Sequence, residues 1–285
     1  MTRVFIALGV PTLLLGCTQD YQVKGEMPDV DPGEVTDCGF TQVEETDFYR
    51  YDCNPVFSTT GEDWAENIGG TAFLVTDVMG HPFYQLWYNG SRSIGTNGYE
   101  ESLGYAVSAQ GTDWESLDSN PVMDTPGGAE WDADSIDGMS VIWDPYTEQY
   151  VMMYQGINYD TTSIGLGVAT SPTGQEWTRL PNNPIVDMTA TGGYGTGEED
   201  WCWPLDLTLG GVSGYSGYVA GGPELTFEEI LEASLNGELA MNPCDVYRVA
   251  GENVSEWYFT DDVVLEAGAP GEWDDSGFTD MAIAE

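Results

Sequence analysis

Three aspartates stand at a repeated place in this chain. Asp137, Asp206 and Asp280 follow Trp131, Trp201 and Trp273, each a tryptophan flanked by acids, by five to seven residues. Carboxylates brought together from separate segments do acid–base hydrolysis without a redox cofactor when one is kept ionised and another protonated. Other chemistries have little to build on. His81 is the only histidine, and no Cys-x-x-Cys pair, glycine-rich phosphate loop, nucleophile elbow or basic patch occurs. The aspartates also have a plainer reading. An Asp at the start of a strand commonly caps a turn by accepting from backbone N–H groups, and duplication copies a structural residue as readily as a chemical one.

The elements that must hold these acids are clearest between Trp131 and Asp187. That stretch predicts four short strands at 139–143, 150–154, 163–170 and 176–180, closed by Asn183-Pro184-Ile185-Val186. Turn formers separate them: Asp144-Pro145, Gln155-Gly156, Pro172-Thr173-Gly174 and Pro181-Asn182. Four antiparallel strands in 57 residues make one propeller blade. One blade cannot bury both its faces, so the unit must repeat.

It does. The start signal occurs as Asp63-Trp64, Glu130-Trp131-Asp132, Asp200-Trp201 and Glu272-Trp273-Asp274, at steps of 67, 70 and 72 residues. The second strand recurs as 84–90 (YQLWYNG), 150–156 (YVMMYQG) and, more weakly, 215–221 (YSGYVAG). In the outer half, Ser108 and Ser171 lie six residues before Trp114 and Trp177, Gly111 and Gly174 lie three before, and Asn-Pro starts six after. The glycine supplies the hairpin turn, and the tryptophan packs the outer strand between blades. The third copy has drifted to Val246–Ala250, Trp257 and Val263–Leu265. Phe48, six residues before Asn54-Pro55, predicts an outermost strand over 40–57 that completes the last blade of a closed ring. A capping box, Thr226 to Glu229, followed by Ile230, Leu231 and Leu235, predicts a short helix over 226–235.

These strand signatures resemble those of the five-bladed β-propellers of the arabinanase, levansucrase and invertase type, and of the related mannoside phosphorylases. The match is Tyr84–Gly90 with Leu103–Met123, and Tyr150–Gly156 with Ile164–Val186, within a likeness covering residues 40–285. The resemblance implies an all-β fold of four-stranded antiparallel blades around a funnel. The chain would hold an incomplete set, three blades with flanking strands, and so reads as a truncated or split product of a longer gene. It also implies three acids projecting into the funnel from different blades: an Asp as base or nucleophile, an orienting Asp and a Glu as general acid, with their separation setting inversion or retention. Asp137, Asp206 and Asp280 take those places. Blade one departs from the pattern. It reads Ile68-Gly69-Gly70-Thr71, with glycine where the family often has its base, and no Glu occupies any of the three positions, although Glu198 and Glu199 lie close to the rim. Trp201, Trp203 and Tyr194 are candidates to stack on sugar rings at the ring mouth, while the other aromatics fill the core between blades.

The first 17 residues carry Arg3, an apolar run over Val4–Leu15 too short to span a bilayer, and the ending Leu14-Leu15-Gly16-Cys17. That ending resembles the lipobox of bacterial lipoproteins and makes Cys17 the lipidated residue. Thr18 after it points to the outer membrane of a Gram-negative envelope, and a plain secretory signal would also export the chain. Residues 18–37 read as a flexible acidic tether. Cys38, Cys53, Cys202 and Cys244 remain as disulfide candidates, with the pairs closest in sequence favoured among three possible pairings. The formal net charge of −43 repels nucleic acid and anionic headgroups. Salt or bound calcium would relieve it, but Asp132–Gly138 is no calcium loop, because Ile136 sits at its fifth position and no Glu at its twelfth.

The expected organisation is a signal at 1–17, a tether at 18–37 and a propeller at 38–285. Its blades fall over 64–124, 131–187 and 201–266, with a partial blade at 273–285. The expected function is a lipid-anchored envelope protein acting on or binding a glycan, with no metal or cofactor required beyond possible calcium. The alternative is a non-catalytic propeller lipoprotein that binds a surface ligand, a reading favoured by the blade-one glycines and the absent Glu.

Overall fold

A computed structural model describes residues 39–42, 49–58, 61–78, 80–94, 98–161, 163–187, 199–209, 214–223, 245–266 and 268. Among them the chain is all strand and turn. Three sheets follow one plan, in which strands adjacent in sequence pair antiparallel. Blade one is β3 (Asn67–Val78), β4 (His81–Ile94), β5 (Gly98–Ser108) and β6 (Glu115–Ser116), preceded by β1 (Phe40–Gln42) and β2 (Tyr49–Tyr51). Blade two is β7 (Ser135–Asp144), β8 (Gln149–Asn158), β9 (Ser163–Ser171) and β10 (Thr178–Arg179), with β11 (Val186–Asp187) added along β9. Blade three is β12 (Glu199–Leu209), β13 (Tyr215–Pro223), β14 (Asp245–Asn253) and β15 (Glu256–Leu265).

The repeated residues are explained by what they touch. Trp64 stacks on Tyr88 at 5.8 Å, and Trp131 lies on Tyr154 at 5.7 Å. Each ring lies over two glycines. A methyl group on Gly90 would stand 2.2 Å from Trp64, and one on Gly156 would stand 2.4 Å from Trp131. Gly104 and Gly167 meet the same pairs of rings. The glycine late in the second strand, which runs on to Ile94 in β4 and Asn158 in β8, is therefore a floor for the leading tryptophan, which packs inside its own blade. In the outer hairpin, the Gly111 and Gly174 N–H groups donate to Ser108 and Ser171 Oγ at 2.8 Å. Trp114 and Trp177 Nε1 donate back to the Gly111 and Gly174 carbonyls at 3.1 Å. Trp257 does the same to Val254, so the drifted third blade keeps this hairpin. The Asn of each Asn-Pro pair laces the third strand: Asn120 accepts from the Tyr105 N–H and donates to its carbonyl, and Asn183 does so at Val168.

Blades stack through apolar faces with polar ties. One core cluster joins Trp87, Tyr105, Met139, Tyr150 and Met152 across blades one and two. A second joins Met153, Val168, Tyr215, Val219 and Val249 across blades two and three. Trp87 Nε1 donates to the Gly174 carbonyl at 2.7 Å, and Tyr105 and Tyr150 both donate to Gln85 Oε1 at 3.0 Å. Between blades two and three, Tyr215 donates to Asp144 at 2.6 Å.

Ahead of blade one, where a single strand is expected over 40–57, β1 and β2 form a two-stranded sheet of their own. Phe57 beyond it packs edge-on against Tyr88 at 4.9 Å. Cys53 follows β2 in an exposed turn and is disulfide-bonded; no other cysteine side chain is among the described residues. The helix expected over 226–235, the tether, Cys17, Cys38, Cys244 and the partial blade at 273–285 lie outside the described residues.

Candidate functional site

The three inner strands share one irregularity. In β3, Ile68 pairs with Gly90 and Thr71 with Tyr88, so Gly69 and Gly70 together face Asn89. In β7, Ile136 pairs with Gly156 and Met139 with Tyr154, so Asp137 and Gly138 share the space opposite Gln155. In β12, Trp201 pairs with Gly221 and Pro204 with Val219, leaving Cys202 and Trp203 opposite Ala220. Each is a bulge of two residues against one, a device that bends a strand and re-aims a side chain. Gly138 has φ 41°, which accommodates the bulge.

This register corrects one expectation. Asp137 and Asp206 have like spacing from a tryptophan but not like places. Asp206 pairs with Tyr218, whose counterpart on β8 is Met153, two positions along from Gln155. The reason is that Trp201 lies inside β12 and pairs with Gly221, whereas Trp131 precedes β7 and packs on Tyr154. At the bulge itself only Asp137 carries a carboxylate, and Gly69 and Cys202 are its counterparts. The side chains of Trp201, Cys202, Trp203 and Asp206 are outside the described residues, as are Tyr194, Glu198 and Asp280.

Asp137 is half-buried and faces blade one. A methyl group on Gly70 would stand 3.2 Å from its Oδ1, so the bare glycine makes room for this carboxylate. Gly69 and Gly70 are exposed and leave an open floor beside it. The place a side chain at 69 would take is held by Asn89, whose Oδ1 would be 2.7 Å from that methyl group. Asn89 Nδ2 reaches across the seam to the Ile136 carbonyl at 2.8 Å. Burial raises the Asp137 carboxyl above the usual range, against a lowering bond from the Gly138 N–H. That backbone bond is what the turn-capping reading expects, but burial outweighs it.

A second carboxyl lies at the same seam. Glu101, on β5, donates its backbone N–H to the Asp134 carbonyl at 3.0 Å and accepts a side-chain bond from Ser135. Burial raises its carboxyl, and the charge of Asp137 raises it further, while bonds to Ser135 and Asn89 oppose this. Tyr159 stands beside them, with 49% of its surface exposed and its backbone N–H held by Asp134. Burial and the charges of Glu101, Asp137 and Asp134 raise its phenol. Gln155 is fully buried, and neither end of its amide has a hydrogen-bond partner.

Glu101 is the residue that spacing from the tryptophans misses. Its signal is parity. Glu101 shares one face of β5 with Leu103, Tyr105 and Val107, all of them buried. An acid on the buried face of a strand needs an explanation. Among the described residues, no group of three or more His, Cys, Asp or Glu side chains converges as a metal-binding set.

No family model and no curated protein matches the chain. Solved structures do. The chain is similar to a protein solved as an RGII complex (18% identity, TM-score 0.54, covering 80% of this chain and 65% of that one). It is similar to a glycosyl hydrolase from Bacteroides ovatus (17% identity, TM-score 0.52, covering 84% and 64%). It is also similar to fructan 1-exohydrolase IIa from Cichorium intybus in complex with 1-kestose (20% identity, TM-score 0.52, covering 77% and 34%). The chain thus spans between a third and two-thirds of the length of these structures. It has the β-propeller fold of the five-bladed glycoside hydrolases, of which the described residues form three four-stranded blades.

Proposed function

We propose that this chain acts on a glycan at the funnel mouth between blades one and two, by acid–base hydrolysis with Asp137 as its reacting carboxylate. One observation carries the reading. Among the three inner-strand bulges, the one in β7 presents a carboxylate, half-buried and raised, over the exposed floor of Gly69 and Gly70. An ionised Asp137 would take a proton from the water that attacks the sugar. Neighbours of the same fold include a structure with 1-kestose bound and an RGII complex, which supports a glycan as the ligand class. Asp206 and Asp280 remain candidates from other blades, and Trp201, Trp203 and Tyr194 remain candidates for stacking. The lipobox at Cys17 supports export and a lipid anchor, with the outer membrane as destination. A Cys38–Cys53 and a Cys202–Cys244 bridge complete the proposal, and calcium is a proposed counterion for the acidic surface.

The second reading is a binding module without catalysis. Gly69 favours it, because the counterpart of Asp137 in blade one has no side chain and Asn89 fills its place. A glycan array and a glycosidase screen on the full chain, beside Asp137→Asn, separate the two. The hydrolytic reading expects turnover in the parent and a loss of about 100-fold or more, on the order seen when a general base is removed, in the variant. Glycan binding by both proteins with turnover by neither leaves the binding module. Equal turnover by both sinks Asp137.

A further inference from the structure

The funnel-mouth reading assigns a carboxylate and leaves the proton donor unnamed; the following rests on that reading and deepens it. We infer that Glu101 supplies the proton to the departing sugar oxygen, from the blade-one side of the seam that Asp137 faces. Three observations support it. The backbone of Glu101 is tied to blade two by its N–H bond to Asp134, which fixes the acid to the start of β7 and not merely to its own blade. Its carboxyl is held by Ser135, two residues before Asp137, and so has a defined direction. Asn89 Nδ2 bonds the Ile136 carbonyl, and the same amide lowers the Glu101 carboxyl, so one side chain bears on both sides of the seam.

Burial raises both carboxyls, and the charge of one opposes ionisation of the other, so the pair gives up its two protons in separate steps. On this proposal Asp137 loses the first, with the Gly138 N–H to hold its charge, and Glu101 keeps the second. In the step itself, the bond between the anomeric carbon and the glycosidic oxygen breaks, and its electron pair stays on that oxygen. The Glu101 O–H proton moves to the same oxygen and leaves a carboxylate. Water forms the new bond to the anomeric carbon and gives its proton to Asp137. One water is consumed, and exchange with solvent returns both acids to their starting state. Tyr159, exposed beside the pair, supplies an aromatic face for the ring being cleaved.

The test uses the full chain, its Glu101→Gln and Asp137→Asn variants, and paired phenyl and 2,4-dinitrophenyl glycosides of the common pentoses and hexoses. A dinitrophenolate leaves without a proton and a phenolate does not. Glu101→Gln is expected to lose about 100-fold or more in kcat on the phenyl substrates and only a few-fold on the dinitrophenyl ones. Asp137→Asn is expected to lose on both. Carboxyl carbon NMR of the full chain gives a second readout, with the Glu101 signal identified by its loss in the Gln variant. Glu101 is expected to titrate above the ordinary Glu range and to fall toward it in Asp137→Asn. An equal loss on both leaving groups, or an ordinary Glu101 titration, overturns the donor assignment and leaves the glycan reading standing. A parent chain that cleaves no member of the panel overturns the hydrolytic reading, and the donor role falls with it even where the carboxyl titrates high.

Discussion

Gly156→Ala tests whether the leading tryptophan is a keystone of its blade. A methyl group at 156 would lie 2.4 Å from Trp131 Cζ3, 2.7 Å from its Cη2 and 2.5 Å from Asp132 Cβ. None of these atoms retreats easily. The ring lies on Tyr154 at 5.7 Å, and the Asp132 carboxylate is held by Tyr154 at 3.0 Å and Arg179 at 2.7 Å. Overpacking of this kind costs about 1–3 kcal/mol, and three contacts against immobile groups place this site at the upper end. The lower unfolded-state entropy of alanine returns about 0.5–1 kcal/mol, for a net loss of about 2 kcal/mol. For a domain this size that lowers Tm by roughly 4–8 °C in differential scanning calorimetry. In a Trp131→Leu background the ring contacts are gone and only the Asp132 contact remains. The same glycine substitution should then cost about 1 kcal/mol less, as a double-mutant cycle reads it. A neutral Gly156→Ala, or an equal cost in both backgrounds, would refute the keystone role and leave Trp131 free for ligand contact.

Three further outcomes follow from named contacts. Burial would raise Asp144, but bonds from Tyr215, Thr147 and the backbone N–H groups of Tyr146 and Thr147 hold it below the usual carboxylate range. That stabilisation is full above the unfolded value of about 4 and is lost as pH falls through the folded one, so Tyr215→Phe should narrow the gap in Tm between about pH 6 and pH 3. Arg179 bonds Asp132, which is 1% exposed, and reaches the Asp124 carbonyl. Arg179→Ala strands a buried carboxylate and should cost about 3 kcal/mol in urea unfolding, with Asp132→Asn in the same background restoring part of it. Glu101 and Asp137 are raised in the fold, so their ionisation opposes folding as pH rises past the unfolded value. Glu101→Gln and Asp137→Asn should each raise Tm at about pH 7 and leave it unchanged near pH 4; a fall at neutral pH would contradict the burial that sets them.

The blade plan is legible in the sequence because its signals are local and geometric. Ser108 to Trp114 and Ser171 to Trp177 are the two ends of one hairpin, and each Asn-Pro laces the strand beside it. Spacing alone finds such features. Spacing fails at the bulge. Trp131 and Trp201 look alike in sequence, but one precedes its strand and the other lies within it, so counting forward from them lands Asp137 and Asp206 at different registers. Glu101 escapes for a different reason. Its partners Ser135 and Asp134 belong to the next blade, a contact that no periodicity within one blade encodes. The same holds for Asn89, which fills the gap over Gly69 while bonded to Ile136.

The two blade junctions are closed by different keys, and this bears on assembly order. At the first, the Trp87 indole enters the Gly174 turn; at the second, the counterpart of Trp87 is Met153, which lies against Gly217, and the polar tie is Tyr215 to Asp144. Duplicated units invite misassembly, because any copy has surfaces shaped for any neighbour. Here Met153 has no N–H for the Gly174 carbonyl, and Gly217 is the bare position that Met153 covers, since a methyl group there would stand 2.7 Å from its sulfur. A blade docked out of turn would bury the Gly174 carbonyl without its indole donor. The copies share a plan for pairing within the sheet and carry separate addresses on their faces, so each of these near-repeats favours its own neighbour over an exchanged one.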